Sequence, residues 1–270
     1  MSALPESIFH RDGDTVVPTE LARGPWSPNA QHGSAPASLL AGEIERWEPG
    51  PAHFVARITV ELLRPVPLAP LTLRTETIRP GKRVQWVQAS LLDGGTEVAR
   101  ATGLRLRSEE LELPVPPRAP LHIPDADASQ RFDLFPAEND ERPSARLGVG
   151  FWLAVDVRMA RGSWTETGPG AVWFRLRQPV VAGEEISPLQ RAAAAADFGN
   201  GVSAALERGR YLFINPDLTI YLHRLPVGEW VAIDAITHAE SHGVGVAESV
   251  LLDQGGRIGR SVQALLVDRL

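Results

Sequence analysis

Two runs of alternating apolar and polar residues dominate the chain. The first covers 54–64, 71–78, 84–92 and 98–106, and the second covers 213–224, 230–237, 244–252 and 258–267. Period-two alternation in segments rich in Val, Ile, Thr and Trp predicts half-buried strands. Asp93-Gly94-Gly95 and Asp253-Gln254-Gly255-Gly256 predict hairpin turns, because Gly and Asp accept the positive φ such turns need. Pro80-Gly81 predicts another turn. One helical stretch precedes each run, 34–47 (SAPASLLAGEIERW) and 190–208 (QRAAAAADFGNGVSAALER). Ala, Leu and Glu favour the helix, and Pro36 is tolerated in a first turn. Gly199 and Gly201 predict a bend or an end midway through the second helix. Short strands are expected earlier, around 7–17 in one half and around 149–158 and 171–177 in the other.

The two halves share residues in one register. ITVELLR at 58–64 matches LTIYLHR at 218–224, an offset of 160 (218 less 58). The same offset pairs Leu92-Asp93 with Leu252-Asp253, and Val98-Ala99-Arg100-Ala101 with Ile258-Gly259-Arg260-Ser261. A period this long points to two fused copies of one small domain rather than a solenoid. The Pro-rich and charged stretch between them cannot be a central strand or a helix interior, because proline lacks the N–H and fixes φ. The expected organisation is a first copy at 1–112, a linker at 113–145 that runs along the surface, and a second copy at 146–270. Ala99, Ala101 and Gly103 in one copy, and Gly259, Ser261 and Gln263 in the other, are small or polar on one face of the last strand. That face lets a helix lie close. The fold class is therefore α+β, a curved antiparallel sheet wrapped around a central helix, present twice.

Composition narrows the function. The chain has 270 residues, 43% hydrophobic and 22% charged, as expected of a folded globular protein. It carries 27 basic and 33 acidic residues, net −6, with no cluster of cations. A nucleic-acid partner is not expected, since such binding needs clustered positive charge. The absence of Cys removes thiol catalysis, disulfides and thiolate metal sites. The start MSALPESIFHRDGD lacks the pattern of a signal peptide, and no apolar stretch nears the ~20 residues of a membrane span. The expectation is a cytoplasmic protein without a membrane span.

Four motifs carry a family likeness: Trp26-Ser27-Pro28-Asn29-Ala30-Gln31-His32-Gly33 before the first helix, NPDLTIYLHR at 215–224, Gly228-Glu229-Trp230, and GRIGRSVQ at 256–263. In this order the chain resembles the double-hotdog acyl-CoA thioesterases of the thioesterase II type. The resemblance covers nearly everything outside the linker. It implies hydrolysis of acyl-CoA to free acid and CoA, an acyl tunnel between helix and sheet, and no cofactor or metal. It also implies a polar trio that activates a water. The family's helix Asp falls on Asp197, its Thr two residues before the strand Asp falls on Asn215, and its last-strand Gln falls on Gln263. Asn stands here where Thr is usual.

Hydrolysis of a thioester needs a water, a base and a donor for the developing oxyanion. Asp197 supplies a base, and the amides of Asn215 and Gln263 can hold the water or polarise the carbonyl. At the 160-residue offset the first copy has Ala37, Val55 and Gly103, so the polar set occurs once. His32 and Gly33 precede the first helix, whose N-terminal amides suit a substrate carbonyl or phosphate, and are candidates for substrate binding. His238-Ala239-Glu240-Ser241-His242 does not fit a zinc-protease helix, which places Glu next to the first His. No Gly-x-Ser-x-Gly elbow occurs. Two alternatives stay open on this fold: a non-catalytic acyl-binding protein, and a hydratase or dehydratase that pairs an Asp with a His. His32 is available for the second, although 26–31 contains no Asp. Sheet edges need pairing or covering, so a homodimer or larger assembly is expected.

Overall fold

A computed structural model describes residues 4–48, 53–114, 122–132, 134 and 148–270. In the first half lie β1 (Phe9–Asp12), β2 (Thr15–Pro18), α1 (Ser34–Arg46), β3 (His53–Leu62), β4 (Leu71–Arg79), β5 (Val84–Asp93) and β6 (Thr96–Arg107). In the second lie β7 (Gln130–Arg131), β8 (Val155–Arg161), β9 (Gly170–Leu176), α2 (Pro188–Ala196), α3 (Gly199–Val202), β10 (Tyr211–Ile214), β11 (Asp217–Leu222), β12 (Val231–Ala239), β13 (Val244–Asp253) and β14 (Gly256–Arg269). Among the described residues all strands join one antiparallel sheet, β1-β2-β4-β5-β6-β3-β11-β14-β13-β12-β9-β8-β7, with β10 on β14.

The repeat appears directly in the register. β3 pairs with β11, so the two half-sheets meet edge to edge, and Thr59 stands opposite Thr219, its own equivalent at offset 160. Their hydroxyls hydrogen-bond at 3.2 Å. The register of β5–β6 shifts between Leu91 and Leu92, and that of β13–β14 shifts between Leu251 and Leu252, the same place in both copies. Two copies of one sheet thus face each other across a pseudo-twofold axis, the double-hotdog architecture.

The helices fill the inside of the sheet. Every residue of α1 from Ser34 to Ile44 is buried, including Ala35, Ala37, Ala41 and Gly42. A helix with no polar face is one enclosed on all sides, and α1 packs on α2, β3, β5 and β6. α2 starts on a capping box: Ser187 Oγ accepts from the Gln190 N–H at 3.2 Å, and Gln190 Oε1 accepts from the Ser187 N–H at 2.9 Å. Pro188 follows at the first helical position.

The structure corrects three expectations. The second helix does not run unbroken from 190 to 208; the break expected near Gly199 and Gly201 is present, with α2 ending at Ala196, Asp197 its C-cap, and only the short turn of α3 following. Two glycines within three residues remove the propensity to continue. The strand expected at 213–224 is broken at Asn215-Pro216 into β10 and β11, since Pro216 cannot donate to β14. The helix register is not 160. Counted from their first residues, Ser34 and Pro188, the helices are offset by 154, which sets Asp197 against Glu43 and not Ala37. The strands keep the offset, so Asn215 and Gln263 still correspond to Val55 and Gly103.

Part of the segment read as a linker is docked. Ile123 and Ala126 are buried with Trp173 and Trp230 in a small cluster on the outer face of the second half-sheet. Trp173 Nε1 donates to the Pro124 carbonyl at 2.9 Å. Residues 115–121, 133 and 135–147 lie outside the described residues. No helix among the described residues is long and apolar enough to cross a membrane.

Candidate active site

The end of α2, the start of α1 and the break between β10 and β11 converge on one carboxylate. Asp197 is held by the chain reversal after Ala196, where the Phe198 N–H donates to the Ala195 carbonyl at 3.2 Å. Its side chain is 5% exposed. Oδ1 accepts from Asn215 Nδ2 at 2.8 Å and from Gln263 Nε2 at 3.4 Å. Gln263 Nε2 also donates to the Asp197 backbone carbonyl at 3.1 Å. Ser34 Oγ lies 3.2 Å from Oδ2 and 2.9 Å from the Ala194 carbonyl, so its one hydrogen is shared between two acceptors, and His32 Nδ1 lies 3.3 Å from Oδ2. The three residues expected to form a polar trio are therefore in contact, and both amide NH₂ groups are turned to Asp197.

Two glycines make room for this arrangement. A β-carbon on Gly33 would stand 2.8 Å from both Asp197 oxygens, so the carboxylate lies against the backbone at the start of α1. The positive end of the helix dipole faces it there. A β-carbon on Gly199 would stand 2.8 Å from Gln263 Oε1 and 3.1 Å from Ser249 Oγ. Gln263 is 1% exposed, and its Oε1 is buried without a hydrogen-bond partner. In the first copy the same strand position is Gly103, packed against Ile44 of α1.

His32 and Gly33 come from the first copy and the trio from the second, so the site spans the junction of the two. The 22–33 segment is anchored by the His32 N–H to the Ala22 carbonyl (2.8 Å), the Gln31 N–H to the Val66 carbonyl (2.8 Å) and Gln31 Nε2 to the Pro67 carbonyl (2.8 Å). Trp26, Phe151 and Phe198 pack on the His32 ring with centroids at 5.5, 5.2 and 4.8 Å. Phe174 extends the stack from Phe198 at 4.5 Å. Burial pushes the His32 imidazole below its ordinary value, and the Asp197 charge opposes this in part. Sequence reasoning missed Ser34, Phe151 and Phe198. Ser34 sits directly after His32-Gly33, and Phe198 directly after Asp197, so nearness to the motifs was their one signal.

A polar cleft of about 520 Å³ opens in the first copy, lined among others by Arg11, Glu43, Trp47, Arg74, Glu76 and Glu97. It includes none of Asp197, Asn215, Gln263, His32 or Gly33. Glu43 is paired there with Arg11 at 2.7 Å and Arg46 at 3.2 Å. Among the described residues no group of three or more His, Asp or Glu is placed to hold a metal ion.

Family models match both halves of the chain. Residues 22–106 match the acyl-CoA thioesterase N-terminal domain, and residues 125–267 match the acyl-CoA thioesterase C-terminal domain. Among solved structures, a Thermobifida fusca protein provisionally assigned as a thioesterase II is 20% identical, covers 98% of this chain and 96% of its own, and has a TM-score of 0.71. A hot dog fold protein of unknown function from Alicyclobacillus acidocaldarius is 17% identical, covers 96% of this chain and 95% of its own, and has a TM-score of 0.68. The acyl-CoA thioesterase II TesB2 of Mycobacterium marinum is 15% identical, covers 96% of this chain and 94% of its own, and has a TM-score of 0.64. These likenesses show the fold. No curated protein sequence matches the chain.

Proposed function

We propose that this chain, which belongs to the acyl-CoA thioesterase family and is a thioester hydrolase, hydrolyses acyl-CoA with a water drawn up by Asp197. The observation that carries the reading is the convergence of Asn215, Gln263 and Ser34 on the two oxygens of Asp197, with Gln263 Oε1 buried and unpartnered beside them. An acceptor left over in this place suits a water that donates one hydrogen to Gln263 and the other to Asp197. Asp197 takes a proton as the water oxygen bonds to the thioester carbon. The tetrahedral oxyanion then collapses, the C–S bond breaks, and the thiolate takes the proton back from Asp197. Free acid and CoA leave. Asn215 and Gln263 act by fixing the carboxylate, and Asn in place of Thr preserves a donor to it.

The test is thiol release from acyl-CoAs of graded chain length and from aryl-CoAs, comparing wild type with Asp197→Asn. Asn keeps the shape and removes the base, so kcat should fall by about 10²–10⁴. Turnover unchanged in the variant would move the base elsewhere.

One observation favours a second reading. The His32–Asp197 contact at 3.3 Å is the Asp and His pairing that a hotdog hydratase uses. Enoyl-CoA in the same assay separates the two, because hydration consumes the double bond without releasing thiol. We read the chain as a homo-oligomer as well, supported by Val244 and Leu266, exposed opposite each other on β13 and β14. Light scattering on the purified protein gives the mass that decides this.

A further inference from the structure

Hydrolysis at Asp197 leaves one part of the chemistry without an owner, the donor that meets the oxyanion. The start of α1 is the obvious place to look, since helix N-termini carry free amides. In this chain those amides are already used. The Ser34 N–H donates to His32 Nδ1 at 3.1 Å, the Ala35 N–H donates to the His32 carbonyl at 2.9 Å, and Pro36 has none. Two donors remain at this end of the helix: the Gly33 amide and the His32 imidazole.

The Ser34 amide settles the state of that imidazole. Its hydrogen points at Nδ1, so Nδ1 presents a lone pair and the ring proton sits on Nε2. A proton on Nδ1 would oppose the Ser34 N–H. It would also tie up Asp197 Oδ2 in a hydrogen bond. The working form is therefore neutral, and burial among Trp26, Phe151 and Phe198 favours that form. Asp197, at the end of α2, is the charged group that faces the ring. On the segment that carries His32, the Arg23 guanidinium is turned to the Pro28 and Val149 carbonyls and to Glu20. Three aromatic rings pack on the imidazole, and 11% of the side chain remains accessible.

We infer that His32 is a catalytic residue of the reaction proposed above, a neutral imidazole whose Nε2–H donates to the thioester oxygen as it gains charge. A neutral donor stabilises the oxyanion and leaves the carboxylate 3.3 Å away free to accept the water's proton. Once Asp197 has that proton, the Nδ1 lone pair is the neighbour that receives it as a hydrogen bond. One ring thus serves both charges that develop during attack, the oxyanion through Nε2 and the protonated base through Nδ1.

The experiment compares His32→Phe, His32→Gln and Asp197→Asn in the thiol-release assay. His32→Phe keeps the ring stack and lacks the donor. It should lower kcat by about 10²–10³ with KM changed less than a few fold, the loss seen when one oxyanion donor is removed. His32→Gln should recover part of kcat, because its amide can donate. In wild type kcat should fall as pH drops, in part because His32 protonates, and His32→Gln should displace that limb by removing the imidazole's share of it. Should His32→Phe fail to fold, the Gln variant and its pH profile carry the test alone. Full kcat in His32→Phe, or an unchanged acid limb in His32→Gln, overturns the inference and assigns the oxyanion to the Gly33 amide. An active Asp197→Asn overturns the base assignment and leaves the His32 result standing by itself.

Discussion

Both carboxylate oxygens of Asp197 lie 2.8 Å from the place where Gly33 would carry a β-carbon. The contact is made across the junction of the two copies, and only a residue without a side chain permits it. Gly33→Ala must therefore push Asp197 off its position. Displacement of a reacting group by about 1 Å costs on the order of 10² in rate, so kcat should drop about that much. The added methyl should also cost about 1–3 kcal/mol of stability as an overpacked site. Thiol-release kinetics and a urea melt on the same sample check both.

Asn215 reaches Asp197 from the break between β10 and β11, where Pro216 interrupts pairing with β14. Its contribution is a donor, and a hydroxyl can supply one. Asn215→Thr should keep kcat within about tenfold of wild type. Asn215→Leu removes the donor from a carboxylate that is 5% exposed and should cost about 1–3 kcal/mol, with a larger fall in kcat than the Thr variant shows. Equal kcat for Thr and Leu would mean that Asn215 does not fix the base.

The sheet was legible in the chain, and the reason lies in its register. Strands joined by connections of equal length in the two copies keep an offset of 160, which is why Thr59 meets Thr219 and why both copies shift register at the same leucines. The helices were legible as helices but not in their alignment. The second copy has six more positions between the start of its helix and the strands that follow, which moves α2 by six positions against the strands and brings Asp197 level with Glu43. Asp197, Asn215 and Gln263 could be picked out one by one because each is polar where its strand counterpart is not, or lies in a helix of alanines. Ser34, Phe151 and Phe198 could not, because their contacts exist only once the two copies face each other. No periodicity in one copy encodes a contact made by the other.

Asp253 is fully buried at the β13–β14 turn and pairs with Arg224, which donates to Oδ1 from Nη2 at 2.6 Å and to Oδ2 from Nη1. The Val227 and Gly255 amides donate to it at 2.8 Å each. Burial alone would raise this carboxyl, but the Arg224 hydrogen bonds, the two amides and the Arg224 charge outweigh it and hold the group below its ordinary value. A carboxyl depressed by folding adds stability above its unfolded value, near pH 4, and that stability is lost as pH falls through the folded value. Asp253→Asn should cost about 3 kcal/mol near pH 7, as expected for one partner removed from a buried pair. The gap between wild type and variant should narrow below about pH 4, measured by urea unfolding at stepped pH. A gap independent of pH would mean that the ionised form adds nothing to the fold.

Gly103 occupies in the first copy the strand position that Gln263 holds in the second. A β-carbon there would overlap Cγ2 of Ile44, the α1 residue packed over it. The first copy is thus closed where the second keeps a polar site, and the closure is made by one glycine and one isoleucine. Gly103→Ala should cost about 1–3 kcal/mol by overpacking. Ile44→Ala removes the opposing methyl and should cost about 2–5 kcal/mol by itself. If the two residues set each other, Gly103→Ala made in the Ile44→Ala background should cost less, with a coupling of about 0.5–3 kcal/mol. Urea unfolding of the two single variants and the double variant measures that coupling. Activity should stay near wild type in Gly103→Ala, because the atoms nearest a β-carbon at 103 belong to Ile44 and not to the site. Additive stabilities would show that Ile44 is not what excludes a side chain at position 103, and the asymmetry between the copies would then need a different cause.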